Sequence, residues 1–285
     1  MSSDPHGDQA VYLIKKKLIN FIPRGSVRYG TDKHGNFTAI QLVKASDLSK
    51  PVQNREPVGI QRFYDRDIKG RGDNKDFTWG SKKGGACHLL GEIDKDYAGL
   101  LPVCEGYADG VVAYYRKQVP VIVALDAGNL NAIAQEAKAQ FLKSQVLVIC
   151  DNDAHKYKKG VDNGGVLKGV EAATKSGGKY VIPDFSGYEP SGEPKDLWDL
   201  WQLGGDKAVD DLLDSPQDAP SNWHEFRLNY IGLKSFWKEV DRVVKFRYRL
   251  GNPQKAVKAV LEFSKAHLKK LGLSQQELVD YVCQR

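Results

Sequence analysis

Three groups of acidic residues stand where a chain could assemble a cation site. Glu105 and Gly106 follow the apolar run LLPVC, Asp151, Asn152 and Asp153 follow VLVIC, and Asp184, Asp196 and Asp199 lie in the stretch after GKYVIP. Carboxylates without a CxxC pair or a histidine cluster suit a hard cation with oxygen ligands, magnesium or manganese, and no zinc is expected. Two such ions about 3.5–4 Å apart neutralise phosphate charge and stabilise both the attacking and the leaving oxygen of a phosphoryl transfer. Gly106 and the pair Gly164 and Gly165 would let backbone approach a phosphate closely. The competing reading is that an acid at a strand end only caps the next helix. It suffices for any one of these residues. For Glu105 together with Asp151 and Asp153, on separate strands, metal binding is the better account.

The elements that must position these acids follow from hydrophobic patterning. From residue 100 onward, LLPVC, VPVIVAL, QVLVIC and GKYVIP alternate with the helix-length segments DGVVAYYRKQ, NLNAIAQEAKAQFLKS and VLKGVEAATKS. Continuous apolar strands separated by helices predict a parallel sheet covered on both faces, with ligands just beyond the carboxyl ends of the strands. Upstream, VYLIKKKLINFI reads as a helix exposing Lys15, Lys16 and Lys17, and residues 26 to 95 read as a small antiparallel sheet broken by Gly, Asp and Asn turns. Residues 184 to 220, with several prolines and many acids, read as a loop and short-helix connector, and the remainder as helical. The expected division is an α+β subdomain over 1–98, a catalytic α/β domain over 99–215 and a basic helical domain over 216–285.

Charge is segregated. The 285 residues carry a net charge of +6. Residues 221 to 285 alone hold 13 Lys and Arg against 6 Asp and Glu, or +7. Such an excess favours a polyanionic partner. Within it, RVVKFRYRL sets Arg242, Lys245, Arg247 and Arg249 beside Phe246 and Tyr248, cations and aromatics that suit single-stranded nucleic acid. On a helix Val243, Phe246 and Leu250 would share a buried stripe, so Phe246 is assigned to packing and the arginines to a nucleic acid or protein partner. Trp198 and Trp201, three residues apart, are read as packing, and His88 and His155 as bystanders. The widely spaced Cys87, Cys104, Cys150 and Cys283 predict free thiols. The polar first residues and the short apolar runs predict a cytoplasmic protein without a membrane span.

Several of these segments carry a resemblance. CEGYADGVVAYY is similar to the glutamate motif of the Toprim domain in bacterial replicative primases, VLVICDNDAH with DNGGVLKGVEAA to its second motif, and YVIPDFSGYEPSGEPKDLWDL to its third region. PVGIQRFYDRDIKGRGDNKDFTWGSKKGGACHLLG and VIVALDAGNL resemble the phage and plasmid subgroup of the same family. Residues from about 55 to 205 are covered. The resemblance implies a Toprim parallel-sheet domain preceded by a small α+β subdomain and followed by a helical tail. It makes Glu105, Asp151 and Asp153 the catalytic acids and adds Asp196 as a fourth metal ligand. Lys75, Lys82 and Lys83 would meet triphosphate or template, with Arg62 and Arg71 as lesser candidates.

The activity so implied is a DNA primase of bacterial or phage origin, making short RNA primers on single-stranded DNA from nucleoside triphosphates with magnesium or manganese. A replicative helicase could dock on the C-terminal helices. The cysteine spacing departs from the many relatives that carry a zinc ribbon, and no GxxxxGK phosphate loop is present for a helicase. Two alternatives remain open. A Toprim nuclease would use the same acids, and a catalytically silent replication accessory would bind DNA or helicase through the tail.

Overall fold

The computed structural model describes residues 10–68, 70, 72, 74–190, 192–249, 258, 268 and 271–283. The chain divides into two compact units, Met1–Asn152 with Lys168–Ala219, and Asp153–Leu167 with Pro220–Arg285.

The first unit is a mixed α/β structure built on one sheet. In spatial order its strands are β10 (Gln217–Asp218), β9 (Lys179–Val181), β8 (Gln145–Ile149), β6 (Leu100–Cys104), β7 (Val121–Val123), β5 (Ala86–Leu90), β2 (Gly35–Lys44), β3 (Pro57–Tyr64) and β4 (Lys75–Phe77), with β1 (Arg28–Asp32) also paired to β2. β7, β6, β8 and β9 run parallel, as their unbroken apolar sequences require, and the rest pair antiparallel. No break between the compact units falls at the expected boundary near residue 98. β5 hydrogen-bonds to β7 on one side and to β2 on the other, so the antiparallel and parallel strands share one sheet and one unit. The expected break near 216 lies close to the one observed at 219, but residues 153–167 belong to the second unit.

Helices α2 (Tyr107–Lys117), α3 (Ala127–Gln140), α4 (Gly164–Ser176) and α5 (Leu197–Leu213) supply the connections, and α5 bends at Gly205, where φ is 65°. Close approach of α4 to the sheet depends on Gly169: a Cβ there would lie 2.3 Å from the Cys150 Sγ and 3.3 Å from its Cα. Helix α1 (Val11–Lys15) is shorter than its apolar pattern predicts, because Lys17 takes a left-handed φ of 57° that ends it. Its Tyr12 stacks on Phe63 of β3 at 4.8 Å between ring centroids. Cys87, Cys104 and Cys150 are buried free thiols, as expected.

His88 of β5 is buried beneath this layer, its ring 5.6 Å from that of Tyr107. Its Nδ1 lies 2.9 Å from the Gln41 carbonyl, so it must donate there, while the buried Nε2 has no partner among the described residues. Protonating Nε2 would bury an unpaired N–H and a charge, and burial accordingly pulls the imidazole down to about 4. The unfolded chain, with an ordinary histidine pKa near 6.5, binds the extra proton first. Stability is therefore complete above about pH 6.5 and falls by about 3 kcal/mol as the pH drops towards 4. Urea unfolding across that range should show the loss in the wild type and a smaller one in His88→Phe. Equal slopes would rule out His88 as the cause.

The second unit contains α6 (Trp223–Leu228), α7 (Leu233–Arg249) and α8 (Gln275–Cys283) around Leu228, Ile231, Phe236, Val240, Leu268 and Leu278. Trp237 of α7 stacks on Tyr281 of α8 at 4.1 Å.

Candidate active site

Strand register brings the first two acids together. Cys104 of β6 pairs with Ile149 of β8, so Glu105 and Asp151 leave the carboxyl ends of neighbouring parallel strands, which lie about 4.8 Å apart. Gly106 caps α2, and its lack of a side chain is needed. A Cβ there would meet the Asp109 Oδ2 at 2.4 Å. Asp109 itself, in the first turn of α2, is buried and accepts the Trp198 backbone N–H at 3.0 Å. That N–H opens α5, whose N-cap is Asp196: its carboxylate accepts from Asp199 N at 2.8 Å, and Asp199 reciprocates to Lys195 N and Asp196 N.

The acids act on one another. Burial lifts Asp151 well above the usual carboxylate range, and the neighbouring charges of Asp109, Glu105 and Asp196 lift it further. Asp109 is raised by burial, opposed by the Trp198 N–H and by Lys75, Lys16 and Lys195. Asp196 is raised by burial, then by Asp109 and Asp199. Like-charged groups driven this far upward are a mark of functional sites. Lys16 is the cation that sequence patterning placed wrongly, on a solvated face. Its Nζ sits 3.4 Å over the Trp198 ring and its carbonyl accepts the Trp198 Nε1 proton at 2.9 Å. Burial lowers its pKa and the charges of Asp196 and Asp109 oppose that. Beside Glu105, Leu125 holds a left-handed φ of 76° and donates its N–H to the Glu105 carbonyl at 3.0 Å. Such strain in a leucine is uncommon outside functional segments.

An oxygen-only, self-repelling set of carboxylates fits the chemistry of a hard divalent cation, whose charge would relieve the repulsion. Among the described residues, however, no three His, Cys, Asp or Glu side chains are gathered tightly enough to hold one ion as they stand. Glu105, Asp109, Asp151 and Asp196 form a wide acidic cluster, not a finished cage.

The remaining sequence candidates fall elsewhere. Asp153 lies in the second unit, where its Oδ2 accepts the Gly165 N–H at 3.3 Å and pairs with Lys156 at 2.7 Å. Asp184 is exposed and folds onto Ser186 in a local turn. Lys75 is exposed but its charge reaches Asp109, Lys82 is exposed, and Lys83 pairs with Asp126, the cap of α3. Arg62 is held between Asp32 and Asp76, 2.8 Å from each. Arg62→Ala should cost about 2 kcal/mol by removing the counter-charge that Asp32 and Asp76 share, while leaving the salt dependence of DNA binding unchanged. Paired urea and salt titrations check this, and a shallower salt slope would return Arg62 to the binding surface. In the second unit Arg242 pairs with Glu239 at 2.9 Å and Lys245 is exposed. Arg247 and Arg249 lie on α7, but their side chains, like Arg71, are outside the described residues.

Asp109, Lys16 and Lys195 are site residues that sequence reasoning did not single out. The signal for Asp109 was present: it lies four residues after Glu105 in CEGYADG, one helical turn into α2.

No family model matches the chain. Over 168 residues, 59% of its length, it is 31% identical to a DNA primase TraC of Escherichia coli, and over 169 residues it is 34% identical to a second protein of that name and organism. The chain spans only 11% and 14% of those two relatives. Solved structures that align include the primase domains bound to a bacteriophage T7 lagging-strand DNA polymerase (TM-score 0.45, 14% identity, 69% of this chain and 89% of that one). The catalytic core of DnaG also aligns (TM-score 0.43, 15% identity, 98% and 76%). Among the described residues no helix is long and apolar enough to cross a membrane.

Proposed function

We propose that this chain carries a Toprim-type primase centre that makes short RNA primers on single-stranded DNA from nucleoside triphosphates. The observation that carries the reading is the meeting of Glu105 and Asp151 at the ends of neighbouring parallel strands, with Asp109 and Asp196 acting on the same charge. The homology to TraC primases supports it. Glu105, Asp109, Asp151 and Asp196 would hold magnesium or manganese, and Asp153 joins that set on its motif alone. The bound ions would neutralise the triphosphate and stabilise the attacking and leaving oxygens. Asp109 draws the first turn of α5 against α2 through the Trp198 N–H, which fixes Asp196 beside the strand ends. Lys75 and Lys195, whose charges already reach Asp109, would orient the triphosphate. Glu105 would assist removal of the proton from the attacking hydroxyl.

The test is synthesis itself. Incubated with magnesium, the four ribonucleoside triphosphates and mixed single-stranded templates, the chain should yield short RNA whose sequences reveal the initiation site. A nuclease using the same acids would instead shorten labelled DNA whether or not nucleotides are present, and that result would replace the primase reading.

A further inference from the structure

The segment between β4 and β5 presents one aromatic ring in an unusual way. Trp79 is fully exposed, whereas Trp198, Trp201, Trp223 and Trp237 are all partly covered and each contacts another ring or a cation. A single exposed apolar residue ordinarily needs no explanation, but this one is held out on a rigid mount. Ser81 N donates to the Thr78 carbonyl at 3.1 Å, and Gly80 has a φ of 80°, so Thr78–Ser81 is a turn with Trp79 at its second position and glycine where a left-handed residue is required. Both ends are pinned to β3, Thr78 N to the Ile60 carbonyl at 3.0 Å and Lys82 N to the Val58 carbonyl at 2.9 Å. The Thr78 and Ser81 hydroxyls close it with a 2.9 Å contact.

The surroundings select an occupant. Residues 75 to 85 carry three lysines against one aspartate, and that aspartate, Asp76, is already bound to Arg62. Lys82, three residues beyond the indole in sequence, is exposed. Thr78, the first residue of the turn, also lines a cleft of about 430 Å³ together with Arg28, Gln41 and Ile60. A flat aromatic face, an exposed lysine three residues on and adjoining space match a base with its phosphate, since stacking tolerates any base and a lysine meets the backbone.

We propose that Trp79 is a stacking platform for a base of single-stranded DNA, with Lys82 contacting an adjoining phosphate. The choice of polymer rests on the primase reading, but the platform is testable without primer synthesis. Fluorescence anisotropy of labelled oligothymidylate on the full chain should show roughly tenfold weaker binding for Trp79→Ala, restored largely by Trp79→Phe, with the salt slope unchanged. Lys82→Ala should instead lower the slope by roughly one unit. Because the ring is exposed, the thermal midpoint of Trp79→Ala should equal that of the wild type. Equal affinity in wild type and Trp79→Ala overturns the proposal, as does a wild type that binds no oligonucleotide, or one that binds free nucleotides through Trp79 in preference to DNA. Trp79-dependent binding without any primers would keep the platform and reject the primase reading. Primers made with Trp79-independent binding would do the reverse.

Discussion

Asp151→Asn should reduce primer synthesis by a factor of roughly a thousand or more while making the protein more stable. Both effects have one cause. Asp151 stands at the end of β8 where burial and the charges of Asp109, Glu105 and Asp196 all oppose its ionised form. An amide of the same shape removes that repulsion, which should raise stability by about 1 kcal/mol, the size of other relieved functional strain. The same change takes away the anionic oxygen that would bind the cation. Primer yield and the thermal midpoint, measured on the same preparations, should therefore move in opposite directions. Magnesium should raise the midpoint of the wild type more than that of the variant, since a ligand stabilises only the state that binds it. Full activity in Asp151→Asn and in Glu105→Gln would remove the proposed site altogether.

Asp109 should split by replacement. Asp109→Asn keeps an acceptor for the Trp198 N–H, now 3.0 Å from the carboxylate. Its fold should hold while primer synthesis falls roughly a hundredfold through loss of charge. Asp109→Ala leaves that buried N–H unpaired and should cost about 1–3 kcal/mol in addition. The measurements are kcat for primer formation and urea unfolding of the three proteins. Wild-type kcat in Asp109→Asn would show that this acid only secures α5, and would confine the cation site to Glu105, Asp151 and Asp196.

Much of the architecture could be read from one dimension, and specific residues show why. VPVIVAL and QVLVIC are too short and too β-branched for helices, and each became a parallel strand. The acids that follow them had to emerge at one edge of the sheet, because parallel strands share a direction. Which strands are neighbours was not legible. That β6 lies between β8 and β7, bringing Glu105 and Asp151 side by side, results from long-range pairing. Nor could local pattern show that β5 joins the antiparallel and parallel strands into one sheet, since the edge that β5 offers to β7 is bare backbone.

The surroundings of two cations have the same explanation. Arg62 read as an available guanidinium until β3 paired with β4 and set Asp76 directly opposite it. Lys16 read as solvated until the left-handed turn at Lys17 and the packing of Trp198 brought it against the acids. By itself, then, the sequence determined residue chemistry, strand direction and the carboxylate-rich edge, because these depend on side-chain type and short periodicity. Tertiary structure alone decided which charges meet, because meeting depends on chain segments far apart in sequence packing through buried surface and backbone hydrogen bonds.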